Sequence, residues 1–268
     1  MQKGYQNHKE ELVKKQKGML VAAVIVLAAA AVAMGSRLIR HPQKTENKKA
    51  EVTGENQDAK ETERQKETSE VSEESWQDFY ISEIPDAIFE KMQGKSYKAD
   101  CTVPREDLRY LHVLHMGFDG QTKEGELVVN KAIAEDVLAI FEKLYEAGYP
   151  IEKVRLVDEY DADDEASMRD NNSSAFNFRF ISHTTTISKH GLGLAVDINT
   201  LYNPYVKTVN GKLSIEPANA EAYVDRSGDF PYKIDHDDLC YKLFTGYGFT
   251  WGGDWEHSKD YQHFEKEL

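Results

Sequence analysis

Ser188-Lys-His-Gly-Leu-Gly-Leu-Ala-Val-Asp197 is the stretch on which the reading of this 268-residue chain turns. His190 is followed by Gly191 and Gly193, which permit backbone paths close to an ion, and then by Leu194-Ala-Val-Asp-Ile198, which has strand composition. Alternation in a strand puts Ala195 and Asp197 on one face and Leu194, Val196 and Ile198 on the other. The apolar face can enter a core, and the small Ala195 leaves room beside the carboxylate. A second stretch, Asp260-Tyr-Gln-His263, lies near the C-terminus. In a turn or one helical turn its Asp and His share a side. Two imidazoles and Asp197 as ligands, with Asp260 spare to take a proton from water, make the minimum inventory of a catalytic zinc site with an open coordination position.

The rest of the chain bounds that reading. A formal charge of −14 and a pI near 5.1 exclude a nucleic-acid binder, because neutralising phosphates needs a basic surface. Two cysteines, Cys101 and Cys240, are too few for a disulfide-stapled scaffold and too far apart for a Cys-x-x-Cys site. Residues 1–17 are polar and lysine-rich and read as a cytoplasmic tail. The unbroken apolar run Met19–Met34, taken as 18–36 with its flanks, approaches the ~17-residue lower limit of a spanning helix. It reads as an anchor, with a cleaved signal segment as the alternative. Basic residues balance on its two sides, so they leave its orientation open. Residues 37–78 carry few aliphatic side chains and read as a disordered charged linker, leaving 79–268 as the folded domain.

Within that domain, Leu108–Phe118 and Glu126–Val129 around a turn-rich Asp119–Gly125 predict a hairpin. His112 and His115 in its first strand point to opposite faces and make a poor ligand pair. Asn130 is placed to cap a helix running to about Ala147, with Ile133, Val137, Ile140, Phe141 and Leu144 at helical spacing. Val154–Val157 and Ala175–Ile181 read as strands, the latter carrying Arg179 toward the His190 motif. The acidic Asp161–Met168 stretch reads as a solvated helix start rather than a calcium loop. Asn199–Pro217 reads as a loop-rich cleft wall. Asp235 to about Thr245 reads as a helix with Asp238 near its cap. Trp251 and Trp255 suit either a core or an aromatic groove wall.

SxHxxGxAxD, present as Ser188, His190, Gly193, Ala195 and Asp197, followed by DxxHFE at Asp260, His263 and Glu265, resembles the VanY-like D-Ala-D-Ala carboxypeptidase family. That family lies within a wider group of zinc peptidoglycan peptidases that also contains the metal-binding domain of hedgehog proteins. Ser173-Ser-Ala-Phe-Asn-Phe-Arg179, Asp197-Ile-Asn199 and Gly248-Phe-Thr-Trp-Gly-Gly-Asp-Trp255 extend the likeness over roughly residues 105–268.

The resemblance implies an α+β domain with a central antiparallel sheet, flanking helices and zinc in a surface cleft, and the apolar run 18–36 places one transmembrane helix before it. It implies one Zn2+ on His190, Asp197 and His263, and Asp260 as the base. It favours Arg179 for the oxyanion or a substrate carboxylate, with Arg169 in reserve; Ser188, two residues before His190, reads either as a substrate-binding or ligand-orienting group or as an ordinary turn serine. His257 and Asp254 compete for the ligand and base roles of the last segment. The implied protein is a membrane-anchored, extracytoplasmic D-Ala-D-Ala carboxypeptidase acting on peptidoglycan stem peptides. Two alternatives stand beside it: an endopeptidase cutting L-Ala-D-Glu or crossbridge bonds, and a non-catalytic zinc-containing wall-binding or signalling module.

Overall fold

The longest strands, β2 (Leu108–Met116) and β3 (Thr122–Asn130), pair antiparallel over their whole length in the computed structural model, which describes residues 78–181 and 184–268. A short strand β1 (Tyr80–Ser82) joins the free edge of β2. Period-2 alternation divides this sheet's side chains between two cores. Leu111, Val113, Leu127 and Val129 enter one; Leu108, Tyr110 and Val128 enter the other.

Helix α1 (Asp86–Met92) closes the second core through Met92, together with Phe176 and Phe178. Helix α2 (Ala134–Glu146) closes the first, with Val137, Ile140, Phe141 and Leu144 inaccessible to solvent at the spacing of one helical face. Each such side chain contributes about 1.5–3 kcal/mol relative to exposure. The helix starts at Ala134 rather than at Asn130. The Asn130 side chain accepts from Ala132 N and donates to the Leu192 carbonyl, so it shapes the entry turn and ties it to the His190 segment.

Beyond α2 the elements are short. Strand β4 (Lys153–Val154) pairs parallel with β5 (Asn172–Ser173), and a 3-10 turn at Val157–Tyr160 replaces the predicted end of the first of these strands. Helix α3 (Asp164–Arg169) is capped by Asp163, whose carboxylate accepts from Ala166 N, as the acidic run predicts. Strands β6 (Ala195–Asp197), β11 (His263–Glu265) and β9 (Thr250–Trp251) form an antiparallel sheet, and β10 (Ser258–Asp260), β7 (Tyr205–Val209) and β8 (Lys212–Glu216) form another. Helix α4 (Leu239–Gly246) begins four residues later than Asp235, at its Asp238 cap.

The fold is therefore α+β with antiparallel sheets, but the single central sheet is divided. The hairpin sheet lies between the two cores, and a separate small sheet carries two of the three ligand candidates, Asp197 and His263. Asn199–Pro217 is also more ordered than a loop, because Asn210 and Gly211, both at positive φ, turn β7 into β8. Cys101 and Cys240 are free thiols. Among the described residues no helix is long and apolar enough to cross a membrane. The proposed tail 1–17, anchor 18–36 and nearly all of the linker 37–78 lie outside the described residues.

Candidate metal centre

Strand pairing brings the two motifs together. In the β6–β11 ladder His263 stands directly opposite Asp197, so their side chains share a face. The other edge of β6 is held at Ser174, whose backbone exchanges hydrogen bonds with Asp197 in both directions. His190 enters from a 3-10 turn (His190–Leu192) just before β6. Ligand atoms of His190, Asp197 and His263 converge, and all three residues are buried. The His190 Nε2–His263 Nδ1 and His263 Nδ1–Asp197 Oδ1 separations are 3.0 Å, and His190 Nε2–Asp197 Oδ1 is 3.2 Å.

Those three edges are a little shorter than the about 3.3–3.4 Å edge that bonds of about 2.0–2.1 Å give a tetrahedral zinc site. The remaining nitrogens fix the tautomers. His190 Nδ1 lies 2.6 Å from the Ala175 carbonyl and His263 Nε2 lies 3.0 Å from Glu265 Oε2. Each of those nitrogens donates outward, which leaves His190 Nε2 and His263 Nδ1 as lone-pair donors facing the Asp197 oxygen. With both imidazoles neutral, three acceptors at this spacing repel one another unless a cation lies among them; a proton on His263 or a divalent metal meets that need, and the two-imidazole, one-carboxylate donor set fits the metal.

Charge follows the same arrangement. Burial pushes Asp197 up, but the two imidazoles outweigh it and hold its carboxyl well below the usual range. Burial pushes the His263 imidazole down, while hydrogen bonds to Asp197 and Glu265 raise it to about 10 in the metal-free protein. Glu265 in turn is lowered, chiefly by its hydrogen bond to His263. Glu265 is the residue that sequence reasoning left without a role. The signal was present, because two residues apart in a strand means the same face.

Asp260 ends β10, and Tyr261 and Gln262 turn the chain into β11, so the one-sided placement of Asp260 and His263 comes from a turn between two strands. A Cβ on Gly252 would stand 2.8 Å from Asp260 Cβ and 3.3 Å from His263 Cβ, so both side chains start around that glycine. Part of Asp260 reaches the surface, but its Oδ1 is buried without a hydrogen-bond partner. Burial raises its carboxyl to about 7; His263 and Arg179 oppose that rise and Asp197 adds to it. A buried carboxylate oxygen without a donor, beside the ligands, is free to accept a proton.

Arg179 reaches this region from an extended segment rather than a strand. Residues 176–178 spend their N–H groups on Val128, His190 and Ser96 carbonyls in turn, so no ladder forms. Gly191 allows that segment close to His190, since a Cβ there would meet Arg179 O at 2.9 Å. Arg179 donates to Ser188 Oγ at 3.0 Å, forms an ion pair with Asp164, and acts on the charge of Asp260. Ser188 Oγ also accepts from His190 N at 3.3 Å, linking the guanidinium to the ligand loop.

Arg169 is exposed at the end of α3, in a surface pocket lined with Asp163, Glu165, Ala166 and Asp170. None of the three ligand candidates lines that pocket. Asp254 pairs with His236 at 2.8 Å, and His257 is exposed; neither joins the cluster. Trp251 is a core residue that donates to the Tyr261 carbonyl, whereas the Trp255 ring lies 5.3 Å from that of His263. The core reading thus holds for Trp251, and Trp255 stands beside a ligand candidate.

Residues 182–266 match the family model of D-alanyl-D-alanine carboxypeptidase. The match takes in Ser188, His190, Asp197, Asp260, His263 and Glu265 and stops short of Arg169 and Arg179. It supports the VanY-like resemblance read from the sequence, and with it a hydrolase of the peptidase class. No curated protein and no solved structure matches the chain.

Proposed function

We propose that this protein is a zinc peptidase of peptidoglycan stem peptides, acting as a D-Ala-D-Ala carboxypeptidase. The observation that carries the reading is the convergence of His190 Nε2, His263 Nδ1 and Asp197 Oδ1 beside a buried, unpartnered Asp260 oxygen. His190, Asp197 and His263 would hold one zinc ion. Bound there, zinc would lower the pKa of a water toward ~7 and polarise the scissile carbonyl.

The chain's own groups supply the remaining work. Asp260 accepts the proton of the attacking water as its oxygen bonds to the carbonyl carbon. It returns that proton to the amine as the C–N bond breaks. Arg179, oriented by Ser188 and Asp164, supplies a positive fork for the oxyanion or the substrate's terminal carboxylate. The Ala175 carbonyl and Glu265 keep both imidazoles in the ligating tautomer.

The apolar run 18–36 would anchor the domain to the membrane on the extracytoplasmic side, where its substrate lies. An endopeptidase would use the same groups on a bond inside the stem or crossbridge. A non-catalytic zinc module has no use for Asp260. Incubating zinc-loaded protein with a pentapeptide ending in D-Ala-D-Ala should yield the tetrapeptide and free D-Ala by mass. Intact pentapeptide after prolonged incubation would refute the carboxypeptidase reading.

A further inference from the structure

The sheet β10–β7–β8 leads outward from the site, and its register decides what lies along it. Tyr205 stands opposite Asp260 on one side and Glu216 on the other, so the three side chains share a face. The next row on that face is Ser258, Lys207 and Ser214. A line of contacts connects this row to the ligands: the Trp255 ring lies 5.3 Å from His263 and 6.4 Å from Tyr205, and Lys207 Nζ lies 4.6 Å from the Tyr205 ring centre. Lys207 Nζ meets Glu216 Oε1 at 2.9 Å, with both side chains partly open to solvent.

We infer that Lys207 is a subsite for a substrate carboxylate, placed two to three residues from the scissile bond. The inference rests on the peptidase reading above. Two residues along a strand and one strand across put Lys207 about 8 Å from Asp260 at the backbone, against about 3.3 Å per residue of an extended peptide. In a carboxypeptidase a single residue lies beyond the cleaved bond, so the recognised carboxylate belongs to the amino-terminal side.

Glu216 is then the group that holds Lys207 in place without substrate. A part-exposed pair of this kind contributes little to folding, so exchanging the Glu216 carboxylate for one on the peptide costs the protein little. Lys207 offers three donors and a full charge, and the Tyr205 face beneath restricts where they point. The expected ligand is an acidic peptide, with specificity set by charge rather than by an apolar pocket.

The test uses zinc-loaded full-length protein and D-Ala-D-Ala-terminated pentapeptides carrying glutamate or glutamine at their second and third positions. Wild-type protein should favour the glutamate peptide in kcat/KM by about tenfold, mostly through KM, as expected for a hydrogen bond between charged groups. Lys207→Ala should bring that ratio to near one, and Lys207→Arg should restore most of it. The same ratio is read as a Kd by calorimetry on the Asp260→Asn protein, where no turnover is needed. A binding preference without cleavage by the wild type would refute the proposed function and uphold the subsite. No preference in the wild type, or equal losses on both peptides in Lys207→Ala, would overturn the subsite.

Discussion

Glu265→Gln isolates the part of the centre that does not touch the metal. Glu265 Oε2 lies 3.0 Å from His263 Nε2, and its side chain keeps 21% of its exposure. Across the imidazole, that carboxylate is roughly 5 Å from Nδ1, where one unit charge at an effective dielectric of ~20 is worth about 3 kcal/mol. A dication bonded to Nδ1 sits about 2 Å farther out, roughly 7 Å from the carboxylate, and gains about 4–5 kcal/mol. The same carboxylate also holds the competing proton on His263, whose imidazole is raised to about 10, and this cancels more than half of the gain near neutral pH. Discounted for residual exposure, the net loss is about 1.4 kcal/mol, or roughly tenfold in zinc affinity. Glutamine keeps an acceptor for Nε2–H and the β11 pairing, so the fold should survive. Competition against a chromophoric chelator measures the change. Affinity within about twofold of wild type would show that Glu265 neither orients nor charges His263.

Asp260→Asn should retain zinc while kcat falls by about 10²–10⁴-fold, read from metal content and peptide turnover on one sample. In the wild type, a protonated Asp260 cannot act as base, so kcat/KM should fall as pH drops through its pKa. That value is about 7 in the metal-free protein and moves lower with a cation beside it; a rate that rises toward pH 5 would contradict the assignment. Arg179→Ala should lower kcat/KM by about 10²–10³-fold and leave zinc binding in place, whereas Arg169→Ala should change neither by more than about twofold, being an exposed surface residue. Asp158 is raised by burial above the ordinary carboxyl value of 3.8 although Ser96 N and Oγ hydrogen-bond to it. The folded state therefore binds its proton more tightly, and this carboxyl makes stability fall as pH rises from 3.8 through the raised value. Asp158→Asn should remove that slope in urea midpoints measured across acid pH.

What the sequence disclosed was whatever depends on short periods. The β2–β3 hairpin and the buried face of α2 follow from alternation and from helical spacing. His190, Asp197 and His263 follow from motif letters, and the β6–β11 pairing is what sets His263 opposite Asp197. Hydrogen-bond partners distant in sequence were not legible. Ala175–Ile181 has strand composition, yet the N–H groups of residues 176–178 are spent on Val128, His190 and Ser96 carbonyls, which no local pattern announces. The central sheet was expected as one because strand letters do not say which strands share an edge. Here β6 lies between Ser174 and β11, apart from the hairpin. Asn130 has cap chemistry, but its side chain is drawn to Leu192 O and to the entry turn, and α2 begins four residues later.

Zinc content and pentapeptide hydrolysis, measured on the same preparation before chelation, after it and after zinc is restored, test the centre most directly. About one zinc per chain is expected, with D-Ala release lost on chelation and recovered on reloading, and with both properties absent in His190→Ala and His263→Ala. Hydrolysis that persists in metal-stripped protein, or a full complement of zinc in those variants, would contradict it.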